Sequence, residues 1–425
     1  MQNFNRYNSI KITLVDCFRH GQWPIFLLSP AICFVSSIIK IRKGEIRACW
    51  AIPFVMGVFA YLFPPFADFA RNEARILDML NMPLSEVILL NGDIVVTTLE
   101  YIFLKNGIPI ELFRFLYTFI VYYFYTKIFV DIVINSKLDI KKIFYVWVFL
   151  FLQIDFFAYI DNIRTIFVRL MLTYCAYQYF FNHRNKYRYY ALILIPVHFA
   201  YFPIILGFFF SKFIRISVSR NLRIILIVVL FLAMLIPNNV NVLSYFSALN
   251  LGDTINNKIL AYTEGEWSAG GESFNSKSLA FKIYSALSSL SGYYLLFVYC
   301  KSKYGFSIEH YSSILLFLCI LTLSVPVLFG RYIGFFHLAV ALFVLYGYLN
   351  GNVKQKQINI YLLLCLFKVA LDVYANWNCL VNGNVFFLFL PLPIALLQTY
   401  NFAEWRLQHL ADDFNKIING GFLSR

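Results

Sequence analysis

Charged side chains interrupt two stretches that otherwise have the composition of membrane-spanning helices. Arg164 and Arg169 lie in the first stretch, and Arg331 lies in the second. An arginine inside a bilayer costs roughly 2.5–3.5 kcal/mol on insertion scales, so such residues usually face a wet cavity and pair with an anion. The guanidinium fork suits phosphate because it binds two oxygens at once. We therefore expect anion-binding arginines in a cavity within a membrane protein.

Carboxylates accompany the first two arginines. Asp155 and Asp161 precede Arg164 and Arg169 in a segment that predicts a tight corner between two helices. One interpretation is that these acids and arginines pair with one another and hold the corner. The other is that the corner binds a phosphorylated or carboxylated ligand, with Arg169 further into the membrane than a helix cap requires.

A histidine and an aspartate are further candidates for the site that contains the arginines. His198 lies between Pro196 and Pro203 in an apolar segment, and prolines there free backbone groups that need a cavity or a partner. Its imidazole is either a packed core residue or a general base near an anion. Asp68 follows two prolines at the end of an expected span, where it either caps a helix or borders the cavity.

The composition predicts an all-α, polytopic membrane protein. The chain of 425 residues is 60% hydrophobic and only 14% charged, whereas soluble proteins have about 25% charged residues. We expect about twelve transmembrane segments, one of which either spans or re-enters the membrane, in a single domain over residues 23–400. A polar segment, 1–22, precedes this domain, and a cytoplasmic tail, 401–425, follows it. No nucleotide-binding, metal-binding or cofactor motif is expected.

The net charge of +14 is attributed to short basic loops that set topology by the positive-inside rule, and not to nucleic-acid binding. Five such loops predict the cytoplasmic side: 40–47, 137–142, 183–188, 301–303 and 354–356. Two larger segments, 67–109 and 237–278, then share the outer face and are expected to form a vestibule. The pattern of 67–109 predicts amphipathic helices at the outer interface.

One segment conflicts with this topology. Residues 189–213 would form one span, but basic residues follow on what would then be the outer side. Either the segment crosses the membrane and the positive-inside rule fails, or it is a re-entrant pair of half-helices broken near Pro196 and His198. The second interpretation is favoured because it restores the alternation of loops, and broken helices are tolerated where they line a cavity.

Three features in this order resemble the bacterial polysaccharide polymerases of the Wzy type, the O-antigen polymerases, and especially their EpsG-like branch. The first is Asp68 after the second span, followed by an amphipathic stretch. The second is the corner 161–169, followed by a basic turn and an apolar run that contains His198. The third is an outer loop containing residues 257–262. The resemblance covers roughly residues 23–350.

The resemblance implies a glycosyltransferase that polymerises undecaprenyl-pyrophosphate-linked repeat units into O-antigen or a related surface polysaccharide. It would act at the periplasmic face of the bacterial inner membrane. Its partners would be lipid-linked glycan donor and acceptor, membrane lipid and a chain-length regulator, with no nucleic acid. The candidate pyrophosphate-binding residues are Arg164, Arg169 and Arg331. The candidate bases, in falling order, are His198, Asp161 and Asp68. No metal is required.

Two other functions remain open at this point. A transporter or flippase for an anionic or lipid-linked substrate would also need cavity arginines, and broken helices are typical of that class. A membrane acyltransferase could use His198 as its base, although that class usually needs a cytoplasmic donor site. The polymerase is preferred to the transporter because the two halves show no recognisable duplication and two sizeable segments lie on one side. It is preferred to the acyltransferase because the strongest charges are expected on the outer side.

Overall fold

The computed structural model shows an entirely helical architecture in the part of the chain that it describes, and no strand occurs there. The described residues are 14–63, 67–91, 93–136, 138–213, 216, 218–233, 279–323, 325–377, 380 and 384–397. The expectation of an all-α fold is confirmed. The expected outer segment 237–278 and the expected tail 401–425 lie outside the described residues, as do residues 1–13.

The helices follow one another with short connections. The α-helices are α1 Leu14–His20, α2 Trp23–Leu28, α3 Pro30–Arg42, α4 Ile52–Leu62, α5 Ala67–Asp78, α6 Leu84–Asn91, α7 Ile94–Lys105, α8 Ile110–Ser136, α9 Ile140–Phe151, α10 Phe156–Asp161, α11 Ile163–Phe180, α12 Lys186–Leu192, α13 Phe202–Phe210, α14 Arg220–Ala233, α15 Leu279–Lys301, α16 Phe306–Leu321, α17 Pro326–Leu349, α18 Gln355–Ala375 and α19 Leu392–Leu397. Short 3-10 helices cover Ile46–Ala51, Phe199–Tyr201 and Asn384–Phe389.

Four helices of the described residues are long and apolar enough to cross a membrane: α8, α17, α18 and residues Ile283–Lys301 of α15. Three shorter apolar helical stretches accompany them, at Ile46–Leu62, Phe199–Phe210 and Phe306–Leu321. The chain is therefore an all-α membrane protein, but the expected number of about twelve spans is not reached. Several segments expected to be single spans are broken into shorter helices.

Local chemistry explains two of these breaks. Ser29 has an extended backbone, and its hydroxyl accepts a hydrogen bond from the Ile32 amide at 3.3 Å. It thereby caps α3, which begins at Pro30, and the expected span 23–39 becomes two helices. In the expected span 144–160, the Asp155 carboxylate accepts a hydrogen bond from the Ala158 amide at 3.1 Å and starts α10 as a separate helix.

The chain divides into two compact units, which are described separately. The first unit comprises Met1–Phe167 and Ala375–Arg425, and the second comprises Val168–Tyr374. In the first unit, α4 packs along α8. The absence of a side chain at Gly57 permits this approach, because a Cβ there would lie 2.8 Å from the ring of Phe115. The expected amphipathic segment 67–109 forms α5, α6 and α7.

In the second unit, α17 packs against α15 and α16, and α13 packs against α16. A Cβ at Gly207 of α13 would lie 3.0 Å from Ile314 of α16, so this contact too is close. Aromatic rings fill the core beside it: the Phe208 ring lies 5.4 Å from Tyr311 and 6.2 Å from Phe180. These contacts hold α11, α13 and α16 together.

The segment 189–213 is a helical hairpin. It contains α12, a turn around Pro196, the short 3-10 helix and α13, so the expected break is present. The Arg188 guanidinium donates to the Phe209 carbonyl at 3.3 Å, and the Tyr189 and Phe209 rings lie 5.5 Å apart. Since the start of α12 contacts the end of α13, the chain returns to the level at which it entered. This is the shape that a re-entrant segment requires.

The depth of the hairpin can be read along α11, the helix that it follows. At the hairpin base, the Arg188 guanidinium lies 5.3 Å from the Tyr179 ring. At the tip, Tyr201 contacts Arg169. Arg169 and Tyr179 are ten residues apart on α11, which corresponds to about 15 Å at 1.5 Å per residue. The hairpin is therefore about half as long as a hydrocarbon core of about 30 Å is thick.

Candidate functional site

The tip of the hairpin is joined to α11 through Arg169. The Arg169 Nε donates to the Tyr201 hydroxyl at 2.6 Å, and one terminal nitrogen donates to the Gly330 carbonyl at 2.9 Å. Both acceptors are neutral oxygens. No carboxylate in the described ranges forms an ion pair with Arg169. The positive charge of this half-buried guanidinium is therefore not neutralised by a described acid.

Two tyrosines join the tip to the first turns of α17. The Tyr201 hydroxyl, which accepts from Arg169, donates to the Arg331 carbonyl at 3.3 Å. In the opposite direction, the Tyr332 hydroxyl donates to the Ala200 carbonyl at 3.1 Å. Tyr201 is fully buried, and Tyr332 is 4% exposed. Because each chain segment supplies both a hydroxyl and a carbonyl, the tip is held in a fixed position against α17.

Two glycines of α17 shape the space around the guanidinium. A Cβ at Gly334 would lie 2.6 Å from a terminal nitrogen of Arg169 and 2.7 Å from its Cζ, so only glycine accommodates the guanidinium there. Gly330 is exposed, and a Cβ there would meet nothing within 4 Å. The guanidinium thus rests on α17 at Gly334 and donates to the carbonyl of the exposed Gly330.

His198 lies beside this arrangement. It immediately precedes the 3-10 helix, has an extended backbone, and is 6% exposed. The His198 ring centroid lies 5.7 Å from that of Tyr201. Three of the residues expected to act together, Arg169, Arg331 and His198, therefore all neighbour Tyr201.

Arg164 has a different environment, in the first unit. Its guanidinium forms an ion pair with Asp93 at 2.9 Å, and the two side chains are 15% and 7% exposed. Asn162 caps the start of α11 by accepting a hydrogen bond from the Thr165 amide at 3.3 Å. A partner carboxylate at this distance already compensates the charge of Arg164. The structure thus provides Arg164 with a structural role that Arg169 does not have.

The two expected carboxylate bases can be placed only by their helices. Asp68 belongs to the first turn of α5, and Asp161 is the last residue of α10. Their side chains lie outside the described part of the structure. The expected roles of both residues stay predictions. Among the described residues, no group of three His, Cys, Asp or Glu side chains could hold a metal ion.

The first unit contains a further arginine that the sequence did not single out. Arg114, in α8, is fully buried and donates to the Phe63 carbonyl. Its Cζ lies 5.3 Å from the Phe69 ring centroid, and Glu111 lies one turn earlier with 4% exposure. These contacts connect α8 with the end of α4 and with α5, which is a packing role.

Arg164 and Arg169 lie in a stretch of the chain that contains basic residues but no acids. Between Asp161 and Asp253 the sequence contains no acidic residue. The basic residues in this interval are Arg164, Arg169, Arg184, Lys186, Arg188, Lys212, Arg215, Arg220 and Arg223. Carboxylate partners for them must come from other segments or from ligands. Arg164 forms an ion pair with Asp93 at the N-terminal end of α7. Among the described residues, Arg169 bonds only hydroxyl and carbonyl oxygens.

Tyr201 and Gly334 are the residues that sequence reasoning missed. The chain contains 30 tyrosines and 19 glycines, and no spacing distinguishes these two from the others. The only sequence signal is that Tyr201 lies between His198 and Pro203, in the expected break.

Comparisons with known proteins do not assign this arrangement to a family. No family model matches the chain, and neither a curated protein nor a solved structure matches it.

Proposed function

We propose that the chain is a glycosyltransferase that polymerises oligosaccharide repeat units carried on undecaprenyl pyrophosphate. The observation that carries the proposal is Arg169. It is half-buried, about 15 Å along α11 from the hairpin base, bonds only neutral oxygens of the described residues and contacts the exposed Gly330. An arginine kept in such a position without a described acid fits a site for an anionic group. A pyrophosphate whose lipid tail lies between helices has the required charge and location.

The reaction requires stabilisation of a leaving group. The hydroxyl oxygen of the incoming unit bonds to the anomeric carbon at the reducing end of the growing chain. The bond from that carbon to the pyrophosphate oxygen breaks, and the electron pair leaves with undecaprenyl pyrophosphate. A preorganised guanidinium in a low-dielectric site stabilises this developing charge. Arg169 fits this role best, and Arg331 on the adjoining turn is the second candidate.

The proton of the attacking hydroxyl needs an acceptor. His198 is the best-placed candidate because its ring neighbours Tyr201, which in turn binds Arg169. A base and an anion-binding cation would thus border the same site. General-base catalysis of this kind typically contributes roughly 10²–10⁴-fold to the rate.

The proposed orientation follows from the basic loops. The hairpin base carries Arg184, Lys186 and Arg188, which the positive-inside rule assigns to the cytoplasm. Arg169 then lies about 15 Å from that side but only six residues, or about 9 Å, from the start of α11 at Ile163. The site would open toward the periplasm of the bacterial inner membrane, where lipid-linked units are polymerised.

The polymerase proposal is tested by the surface glycan of strains that carry single variants. Arg169→Ala is expected to abolish long chains while single repeat units still reach the surface and the protein remains in the membrane. Arg169→Lys keeps the charge but loses the fork, so partial chain growth is expected. Lys354→Ala removes an exposed cation elsewhere and serves as the control. Normal chain-length ladders from Arg169→Ala would contradict the proposal.

A transporter or flippase for a lipid-linked anion is the second candidate. The hairpin favours it, because broken helices that end at half-membrane depth form the substrate sites of many transporters. This function predicts that a deletion strain loses every surface-displayed unit. Polymerase function predicts that single units survive. A gel of the surface glycan from that strain distinguishes the two.

A further inference from the structure

The base of the hairpin has features that the proposed reaction does not use. Arg188 is 5% exposed and is enclosed by aromatic rings. Its Cζ lies 5.3 Å from the ring centroid of Tyr179, 6.0 Å from Tyr189 and 5.9 Å from Phe213. Two of these rings also face outward, since Tyr189 is 56% and Phe213 is 66% exposed. We call Lys186, Tyr189, Lys212 and Phe213 the basal surface.

No acid among the described residues neutralises the charges of the basal surface. Lys186 and Lys212 are exposed, and neither forms an ion pair with a carboxylate that the structure describes. The ammonium of Lys186 lies 5.7 Å from the Tyr190 ring centroid. The acid-free interval from Asp161 to Asp253 leaves no carboxylate nearby in the sequence. A positive surface bordered by outward-facing aromatic rings therefore remains.

Apolar surface continues from the basal surface toward the tip of the hairpin. Tyr190 is 46% exposed, Ile193 64% and Phe210 42%. These side chains suit acyl chains, whereas lysines and tyrosines at the end of an apolar face suit lipid headgroups. A soluble acidic partner would satisfy the lysines but would leave these exposed apolar side chains without a function.

We propose that the basal surface binds anionic phospholipid headgroups, with Lys186 and Lys212 on the phosphates and Tyr189 and Phe213 inserted at the interface. A hairpin that enters only half of the membrane lacks the anchoring that a complete span provides. Lipid bound at its base would hold the two helix ends at the membrane surface. This surface does not include Arg169, so the inference stands apart from the proposed reaction.

The test is native mass spectrometry of the full-length, detergent-solubilised protein titrated with phosphatidylglycerol or phosphatidylcholine. The wild type is expected to prefer phosphatidylglycerol and to lose that preference as salt is raised. Lys186→Gln combined with Lys212→Gln should bind phosphatidylglycerol roughly 25-fold more weakly. Lys186→Arg with Lys212→Arg should retain binding. Lys354→Gln with Lys356→Gln removes two exposed cations elsewhere and should lose much less affinity.

Several outcomes would overturn the inference. These are equal affinity of the wild type for the two lipids, unchanged binding by the Gln pair, or an equal loss in the Lys354 and Lys356 control. Competition by a polyglutamate peptide as effective as that by phosphatidylglycerol would instead assign the surface to an acidic protein. If the Gln pair does not fold, the salt and lipid dependence of the wild type still decides.

Discussion

Replacing Gly334 with alanine places a methyl group against the guanidinium of Arg169. The new Cβ would lie 2.6 Å and 3.0 Å from the two terminal nitrogens of Arg169 and 2.7 Å from its Cζ. Contacts below 3.0 Å essentially never occur for real Cβ atoms, so something must move. The guanidinium is the end of a flexible side chain, and we expect it to move while α17 keeps its position.

This movement would disrupt the hydrogen bonds that orient Arg169. They are the 2.6 Å bond to Tyr201 and the 2.9 Å bond to the Gly330 carbonyl, and a hydrogen bond to a charged group is worth about 1.5–3 kcal/mol. Loss of one such contact from a bound anion weakens binding by roughly 10–150-fold. Stability changes less, because alanine gains up to about 1 kcal/mol over glycine within a helix.

The assay is calorimetric binding of undecaprenyl pyrophosphate to detergent-purified protein, together with its thermal unfolding midpoint. Lys354→Ala is the control, because it removes an exposed side chain that lies outside the site. The control should keep its unfolding midpoint, as should Gly334→Ala, but only Gly334→Ala should lose much of its affinity. Wild-type affinity in Gly334→Ala would refute the argument that this glycine positions Arg169. Failure of the wild type to bind would refute the proposed function itself.

Three further predictions concern neighbouring side chains. Tyr201→Phe removes the hydroxyl that accepts from Arg169 and donates to the Arg331 carbonyl, so anion binding should weaken by roughly tenfold or more; unchanged affinity would contradict this. Asp93→Asn removes the carboxylate that pairs with Arg164 at 2.9 Å and should lower the thermal midpoint, whereas combining it with Arg164→Met should recover part of the loss; additive losses would exclude coupling between the two. His198→Gln should slow polymerisation by roughly 10²-fold or more without weakening pyrophosphate binding, and an unchanged rate of chain growth by purified protein would exclude a base at this position.

The break at 189–213 shows how much local sequence can predict. Proline lacks a backbone N–H and restricts the residue before it, so a helix interruption near Pro196 follows from the chain itself. Whether the two pieces cross the membrane or fold back depends on contacts between their ends. The Arg188 to Phe209 bond and the adjoining aromatic rings decide in favour of a hairpin.

The expected number of about twelve transmembrane spans was wrong for a related reason. Apolar composition identifies segments that belong in or near a bilayer, but it does not measure continuous helix length. Caps at Ser29 and Asp155 divide segments that hydropathy alone joins. Serine and aspartate occur too commonly for each one to be interpreted as a helix start without its hydrogen bond.

The sequence by itself determined the membrane character, the helical class and the arginines that demand an explanation, because apolar composition and the cost of a charge in lipid depend on residue type alone. Only the tertiary structure decided which arginine keeps a carboxylate. Asp93, which pairs with Arg164, lies 71 positions before it in the sequence, and Gly330, whose carbonyl accepts from Arg169, lies 161 positions after it. Such contacts depend on how distant helices pack, and local composition and spacing do not specify that packing.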